Sequence, residues 1–368
     1  MVTVLLGGDV MLGRGVDQIL PHPGDPELRE PVVTDARRYV RLAERANGPI
    51  PSPVDWQWPW GDVPALLDDA APDVRLINLE TTITVGSDFA DRKMVCYRMH
   101  PDNVPALTAL RPDVCALANN HILDFGYQGL NDTLATLARA GIQGAGAGVD
   151  LTAARRPAVV AVDDNHRILI ASVAMTSAGV PESWAAHRDR AGVWLISRPW
   201  QRDATDDLAS QLLAHRRDGD IAIVSVHWGS NWGYAIAPSD VEFAHRLIDA
   251  GVDMVHGHSS HHPRPIEIYR SRPILYGCGD VIDDYEGIGR HESFRSDLRL
   301  LYSASIDPAG PELISLQMIP LRVRQMRLER VSHADAEWLR KTMEHTSHQF
   351  KIRVALRSED LLEVESPK

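Results

Sequence analysis

The 368-residue chain is 44% hydrophobic and 24% charged, long enough to bury a large core without disulfides, and no run reaches the ~18 to 20 apolar residues of a membrane span. Fifty acidic against thirty-eight basic residues leave a net charge of -12 with no basic cluster, which argues against a nucleic-acid partner. Cys96, Cys115 and Cys278 are scattered and odd in number, and residues 1–6 lack the basic and long apolar regions of a secretory leader, so reduced thiols in a cytoplasmic protein are expected.

Residues 2–6 form an aliphatic run that ends in Gly7, Gly8 and Asp9, the pattern of a buried strand delivering a carboxylate at its C-terminal end. The same device recurs along the chain. Residues 74–77 run into Asn78 and Glu80, 113–118 into Asn119, Asn120 and His121, and 221–226 into His227 and Trp228. Residues 252–255 lead to His256 and His258, and 274–276 to Asp280. Helices are predicted between them over 64–71, 103–110, 129–140, 203–216 and 239–250, several closing at glycine. In the third, Leu130, Leu134 and Leu137 share one face, as in a helix packed on a sheet. Residues 21–62 are rich in proline, contain Trp56, Trp58 and Trp60, and read as an ordered excursion. The stretch 308–368 reads as a C-terminal extension of late strands and a helix near 334–348. The pattern predicts a single domain over 1–368, with an α/β layered architecture and its chemistry along one sheet edge.

A metal site of oxygen and nitrogen donors needs ligands converging from several loops, because one loop cannot surround an ion. Asp9, Glu80, Asn120, His227, His258 and His261 all follow strand-like runs and supply such donors. Residues 256–262 hold four of the sixteen histidines, a density that surface or core roles explain poorly. His121 and Asp124 are spaced for an imidazole–carboxylate pair, in which the acid fixes the tautomer and raises basicity.

These blocks, in order, are Gly8-Asp9-Val10-Met11-Leu12-Gly13-Arg14, Asn78-Leu79-Glu80-Thr81, Asn119-Asn120-His121 with Asp124, His227-Trp228-Gly229, and Gly257-His258 through His261. Together they resemble the CapA family of capsule and poly-γ-glutamate synthesis, within the calcineurin-like metallophosphatase superfamily. The resemblance spans residues 2–285 and implies a four-layer αββα sandwich with metal at the strand ends. It puts Asp9, Glu80, Asn120, His227, His258 and His261 on metal-side positions, and His121, oriented by Asp124, on the catalytic imidazole. One departure stands out: the Asp-x-His opening of ordinary metallophosphatases is Asp9-Val10-Met11, one imidazole short.

A site short of a ligand but rich in His/Asp pairs suits proton transfer at a Cα centre. The expected function is therefore metal-dependent peptide epimerisation, as in the family's epimerase that inverts the C-terminal tryptophan of a lasso-peptide precursor. The alternatives are a metallophosphoesterase or poly-γ-glutamate synthesis enzyme, and a non-enzymatic assembly protein. On the lead reading the substrate is a ribosomal precursor peptide. His121 with Asp124 forms one acid–base pair, and Asp9 or Asp280 with His258, His261 or His291 the second. Trp228, Trp232 and Asn119 contact substrate, as do the tryptophans of the excursion. The cofactor expected is a divalent ion, Ca, Mg, Mn, Fe or Zn.

Overall fold

The computed structural model describes residues 1–197, 202–289 and 292–365. The chain first lays down four strands of one sheet, β1 (Val2–Val10), β2 (Val74–Leu79), β3 (Val114–Ala116) and β4 (Gln143–Ala145). It then builds a second sheet from β5 (Ala158–Ala161), β6 (Arg167–Met175), β7 (Leu195–Ile196), β8 (Ile221–His227), β9 (Met254–His258), β10 (Ile266–Tyr269) and β11 (Arg272–Leu275). Finally it returns to the first sheet with β12 (Asp280–Ile282), β13 (Leu298–Asp307), β14 (Glu312–Arg324), β15 (Arg327–Arg330), β16 (Arg353–Leu356) and β17 (Leu362–Glu365). The longer helices are α1 (Arg37–Asn47), α2 (Val63–Ala70), α3 (Gly126–Arg139), α4 (Arg202–Leu213), α5 (Pro238–Asp249) and α6 (His333–Thr346).

The first sheet has ten strands, in the order β16-β17-β14-β13-β1-β2-β3-β4, with β12 on β1 and β15 on β14. The second has seven, in the order β7-β6-β8-β9-β11-β10, with β5 on β6. β1 to β4 are mutually parallel, as are β6, β8, β9 and β11, so their C-terminal ends gather at one edge of each sheet. Strand periodicity assigns the faces. Leu5, Ile77 and Cys115 pack with Leu66, Leu130 and Leu137 in one apolar cluster. Val4, Leu76 and Val114 meet Ile168, Ile223 and Met254 in a second, and Leu169, Val224 and Val255 meet Leu208, Phe243 and Leu247 in a third. Three apolar seams separate four layers: helix, sheet, sheet, helix. The expected αββα sandwich is the fold observed.

Most predicted elements are present, with differences at their ends. β1 continues through Asp9, β8 through His227 and β9 through His258, so these donors sit inside hydrogen-bonded strands rather than in the loops beyond. The long central strand β6 has no counterpart in the sequence reading. It ends at Met175 and is followed by Thr176 and Ser177, so no carboxylate, amide or imidazole marks its end. The excursion contains α1, and its tryptophans anchor it: Trp60 is fully buried, and Trp58 Nε1 donates to Gln325 O at 3.0 Å. The C-terminal stretch supplies β14 to β17 of the first sheet together with α6. At the far edges, the Gln143 amide joins the two sheets: Nε2 donates to Val159 O at 2.9 Å and Oε1 accepts from Val159 N at 3.0 Å.

One irregularity in β1 decides the site. Gly7 pairs with Ile77 and Asp9 with Asn78, so Gly8 is an extra residue, a β-bulge. Without it Asp9 would share the helix-side face of Leu5. With it the parity flips, Val10 joins the helix-side cluster and Asp9 turns toward the second sheet. Only glycine fits at the bulge, because a Cβ there would lie 1.8 Å from Gly279 O. Gly8→Ala is therefore expected to cost about 2 kcal/mol or more, in the range of overpacked cores. It should also misplace Asp9. Chemical denaturation and a Mn2+ titration of the variant measure the two effects separately.

Candidate metal centre

Period-2 alternation sends Ser225 and His227 of β8, and His256 and His258 of β9, into the seam between the sheets, where His227 and His258 stand side by side in register. Opposite them, Asp9 lies between Asn78 of β2 and Asp280 of β12. All of these side chains except Asp280 (1% exposed) are fully inaccessible to solvent. Asp9, His227 and His258 offer donor atoms within 4.8 Å of one another, and so do Asp9, His261 and Asp280. Asp9 is common to both sets.

Supporting bonds fix each donor. Asn78 Nδ2 donates to Asp9 Oδ1 at 2.7 Å and to Glu80 Oε2 at 3.1 Å. The Ser259 amide donates to Asp9 Oδ2 at 3.1 Å. His227 Nε2 lies 3.1 Å from Asn120 Oδ1, and its Nδ1 lies 2.9 Å from His258 Nδ1. Glu80 Oε1 is 3.7 Å from His121 Nε2 and 3.9 Å from His227 Nε2. His261 Nδ1 bonds Asp280 Oδ1 at 2.9 Å.

The electrostatics fit a cation. Burial, then the nearby charge of Asp280, raises the Asp9 carboxyl to about 7. Burial and Asp9 push Glu80 well above its usual range. Asp280 Oδ2 is buried without a hydrogen-bond partner. Several buried carboxylates facing imidazoles, one with an orphaned oxygen, form an uncompensated donor set that a divalent ion satisfies. Burial drives His227 and His258 well below the usual imidazole value, which keeps them neutral as ligands must be.

His121 stands beside this cluster. Its Nδ1 bonds Asp124 Oδ2 at 2.7 Å, and Tyr97 N donates to the same oxygen at 2.6 Å. Burial lowers His121 to about 4 against the opposing pull of Asp124, so the ring is neutral at pH 7. Around His261 the balance reverses. Burial lowers it, but the charge and hydrogen bond of Asp280 outweigh that and raise it overall. The two imidazoles are spanned by a tyrosine pair: Tyr97 meets His121 edge-on at 4.5 Å, Tyr285 meets His261 at 5.1 Å, and their hydroxyls are 2.6 Å apart. The buried Arg14 guanidinium, paired with Asp284 and Glu30, lies 4.6 Å from the Tyr97 ring.

The sequence-predicted substrate contacts separate on the two faces. Asn119 has no exposed surface: Nδ2 donates to Asn78 Oδ1 and Leu79 O, and Oδ1 accepts the His121 amide. Trp228 has the opposite strand parity to His227. It packs on the helix side against Phe243 and Tyr276, with Nε1 donating to Tyr276 O at 3.0 Å. Trp232 lies beside the site, 5.5 Å from the His261 ring. Trp56 is 37% exposed and stacks on His22. His291 lies outside the described residues.

Sequence reasoning missed Asn78 as the brace between Asp9 and Glu80, and Asp280 as a member of a ligand set. It also missed Lys93, whose ammonium contacts Asn120 O and Asp124 and lies 3.0 Å from His121 Nδ1. A compositional signal existed: basic residues here are almost all arginine, the lysines being Lys93, Lys341, Lys351 and Lys368. Burial is the main cause of the low His121 value, and the Lys93 charge adds to it. Lys93→Met is therefore expected to move His121 upward from about 4 in a proton NMR titration of the metal-free protein.

This two-layered sheet fold, with carboxylate, amide and imidazole donors at its strand ends, defines a sandwich protein with a candidate divalent-metal centre. Residues 3–285 match the profile described as bacterial capsule synthesis protein PGA_cap, and the chain belongs to that family. It is 72% identical over 364 residues to a probable polyglutamine synthesis accessory protein of Mycobacterium tuberculosis, covering 99% of this chain and 96% of the relative. It is 27% identical over 278 residues to the PGA biosynthesis protein CapA of Bacillus subtilis, covering 75% and 62% of the two chains. Among solved structures it is similar to a 5'-nucleotidase precursor of Thermus thermophilus, at 15% identity and a TM-score of 0.46, over 94% of this chain and 58% of that one. Among the described residues no helix is long and apolar enough to cross a membrane.

Proposed function

We propose that the chain is a metal-dependent phosphoester hydrolase serving the synthesis of a glutamyl polymer. One observation carries the reading: Asp9 belongs to two ligand sets at once, so a single carboxylate can bridge two cations. The names of the relatives, polyglutamine synthesis and PGA biosynthesis, support the polymer context. Asp9, His227 and His258 would hold one ion, with Glu80 and Asn120 adjoining; Asp9, His261 and Asp280 would hold the other. Asp280 would thus take the place of the imidazole missing at Met11. Mixed imidazole and carboxylate donors favour Mn, Fe or Zn over Ca or Mg. When bound, the ions offset phosphate charge and lower the barrier to attack by water.

The chain's own groups handle the proton. His121 is neutral, and Asp124 accepts its Nδ1 proton and fixes the tautomer, so Nε2 faces Glu80 and the ligand cluster ready to carry a proton. Asn119 and Asn78 act as positioning residues that hold His121, Asp9 and Glu80. Trp232 forms a wall next to His261 for the organic part of the substrate. The three buried free thiols support a cytoplasmic site of action.

Peptide epimerisation is the second reading, favoured by the His261–Asp280 pair. With only the His227/His258 set occupied, neutral His121 can remove a Cα proton and protonated His261 can return one. Metal stoichiometry and isotope exchange separate the two. Hydrolysis predicts two ions per chain by elemental analysis and metal-dependent cleavage of p-nitrophenyl phosphate or its bis-ester. Epimerisation predicts one ion and deuterium entering the Cα position of a peptide in D2O. One ion per chain with no ester cleavage overturns the first reading.

A further inference from the structure

One imidazole in the seam between the sheets belongs to neither ligand set. His256 is fully buried, two residues before His258 and on the same face of β9. Its Nε2 lies 3.1 Å from Gly7 O, and a carbonyl only accepts, so Nε2 carries a proton. No carboxylate pairs with His256 among the described residues, and a buried cation without a partner is strongly disfavoured, so the ring is neutral and Nδ1 holds a lone pair. That lone pair faces Ser225 Oγ at 3.0 Å, and the hydroxyl donates to it. With its one proton committed there, Ser225 Oγ accepts from His258 Nε2 at 2.9 Å. His258 is left with its lone pair on Nδ1, 3.7 Å from Asp9 Oδ1. His227 Nε2 likewise donates to Asn120 Oδ1, so the two rings turn their Nδ1 lone pairs toward one another at 2.9 Å, as two ligands of one cation would.

We infer that Ser225 and His256 are positioning residues that lock His258 in its Nε2-protonated tautomer, with the direction of the whole chain set by the Gly7 carbonyl. Nδ1 of His258 is thereby prepared as a cation ligand before any ion arrives, and ion binding need not expel a proton from that nitrogen. The relay also gives a role to a third histidine of 256–262: His258 and His261 are candidate ligands, and His256 supports the first. Gly7 belongs to the first sheet and His256 to the second, so the tautomer is fixed only when the two sheets are packed together. The inference rests on the metal-centre reading above, but not on which reaction the centre performs.

The test uses the full chain, stripped of metal and labelled with 15N-histidine. Two-bond proton–nitrogen correlation spectra read the tautomer of His258 directly, with the signal assigned by its loss in His258→Gln. Wild type is expected to show His258 protonated at Nε2 only. Ser225→Ala should mix the tautomers and weaken Mn2+ binding by calorimetry by about 10- to 100-fold, the range for loss of a ligand's supporting partner. Ser225→Thr, which keeps the hydroxyl, should restore both. A wild-type His258 protonated at Nδ1 overturns the inference, as does a Ser225→Ala variant with unchanged tautomer and Mn2+ affinity. If Ser225→Ala does not fold, the wild-type spectrum alone still decides. Absence of phosphoester cleavage leaves all of these readouts untouched and bears only on the proposed reaction.

Discussion

Asp9→Asn is expected to abolish binding of both candidate ions together, lowering Mn2+ affinity by more than the about 100-fold that marks the upper range for a lost supporting partner. Asp9 is the one donor common to both sets, and the amide that replaces it is nearly isosteric but carries no charge. The Asn78 bond to Oδ1 can persist in the variant, so the metal-free protein should remain folded. Calorimetry with Mn2+ and elemental analysis check the loss. Retention of one full equivalent would show that the two sets do not depend on a shared carboxylate.

The same carboxylate gives the metal-free protein a characteristic pH dependence. Asp9 is raised from 3.8 to about 7 and Asp283 from 3.8 to about 8, each mainly by burial. In both cases the folded state holds the proton more tightly than the unfolded chain. The associated stability is fully present below the unfolded value and is lost as pH rises through the folded one. His261, also raised, acts in the same direction. His121, lowered from 6.5 to about 4, acts in the opposite direction and chiefly below about 6.5, as do the lowered His227, His256, His258 and His262. Between pH 8 and 6.5 the carboxylates therefore dominate, and in the presence of chelator the melting temperature should rise as pH falls across that window. Asp9→Asn should flatten the slope, and saturating Mn2+ should remove the Asp9 share while leaving that of Asp283, which lies in neither ligand set.

His121→Gln is expected to reduce kcat by about 10^2- to 10^4-fold with both ions still bound, the usual effect of deleting a positioned proton carrier. Its Nδ1 is engaged by Asp124 and its Nε2 sits 3.7 Å from Glu80, so it adjoins the ligand cluster without belonging to either set. Asp124→Asn should produce a smaller loss, because the ring remains but its orientation and tautomer are released. The decisive measurement is activity and metal content on the same sample. If metal is lost in proportion to activity, His121 acts as a ligand and not as a proton carrier.

Much of the architecture could be read from local pattern. Short apolar runs ending in Asp, Asn or His identified β1, β2, β3, β8 and β9, because a parallel strand buried on both faces has a distinctive composition and ends abruptly at the sheet edge. β6 went unseen for the complementary reason: it is equally apolar, but Thr176 and Ser177 follow it rather than Asp, Asn or His. The sidedness of Trp228 was accessible in principle, since adjacent strand residues face opposite ways and His227 faces the seam. The rarity of lysine singles out Lys93, but its partners were not accessible. It reaches His121 and Asp124 from an irregular segment about thirty residues earlier, and no periodicity connects such a loop to its partners.

What the chain specified on its own was the inventory: oxygen and nitrogen donors in ordered blocks, each placed at the end of a strand by rules that act over a few residues. Which donors share an ion was decided only by the tertiary structure. The bulge at Gly8 turns Asp9 into the seam, β12 brings Asp280 alongside it from far along the chain, and the register of β8 on β9 sets His227 against His258. Those pairings depend on long-range strand order and on the packing of one sheet against the other, and neither quantity is encoded in the local alternation of apolar and polar residues.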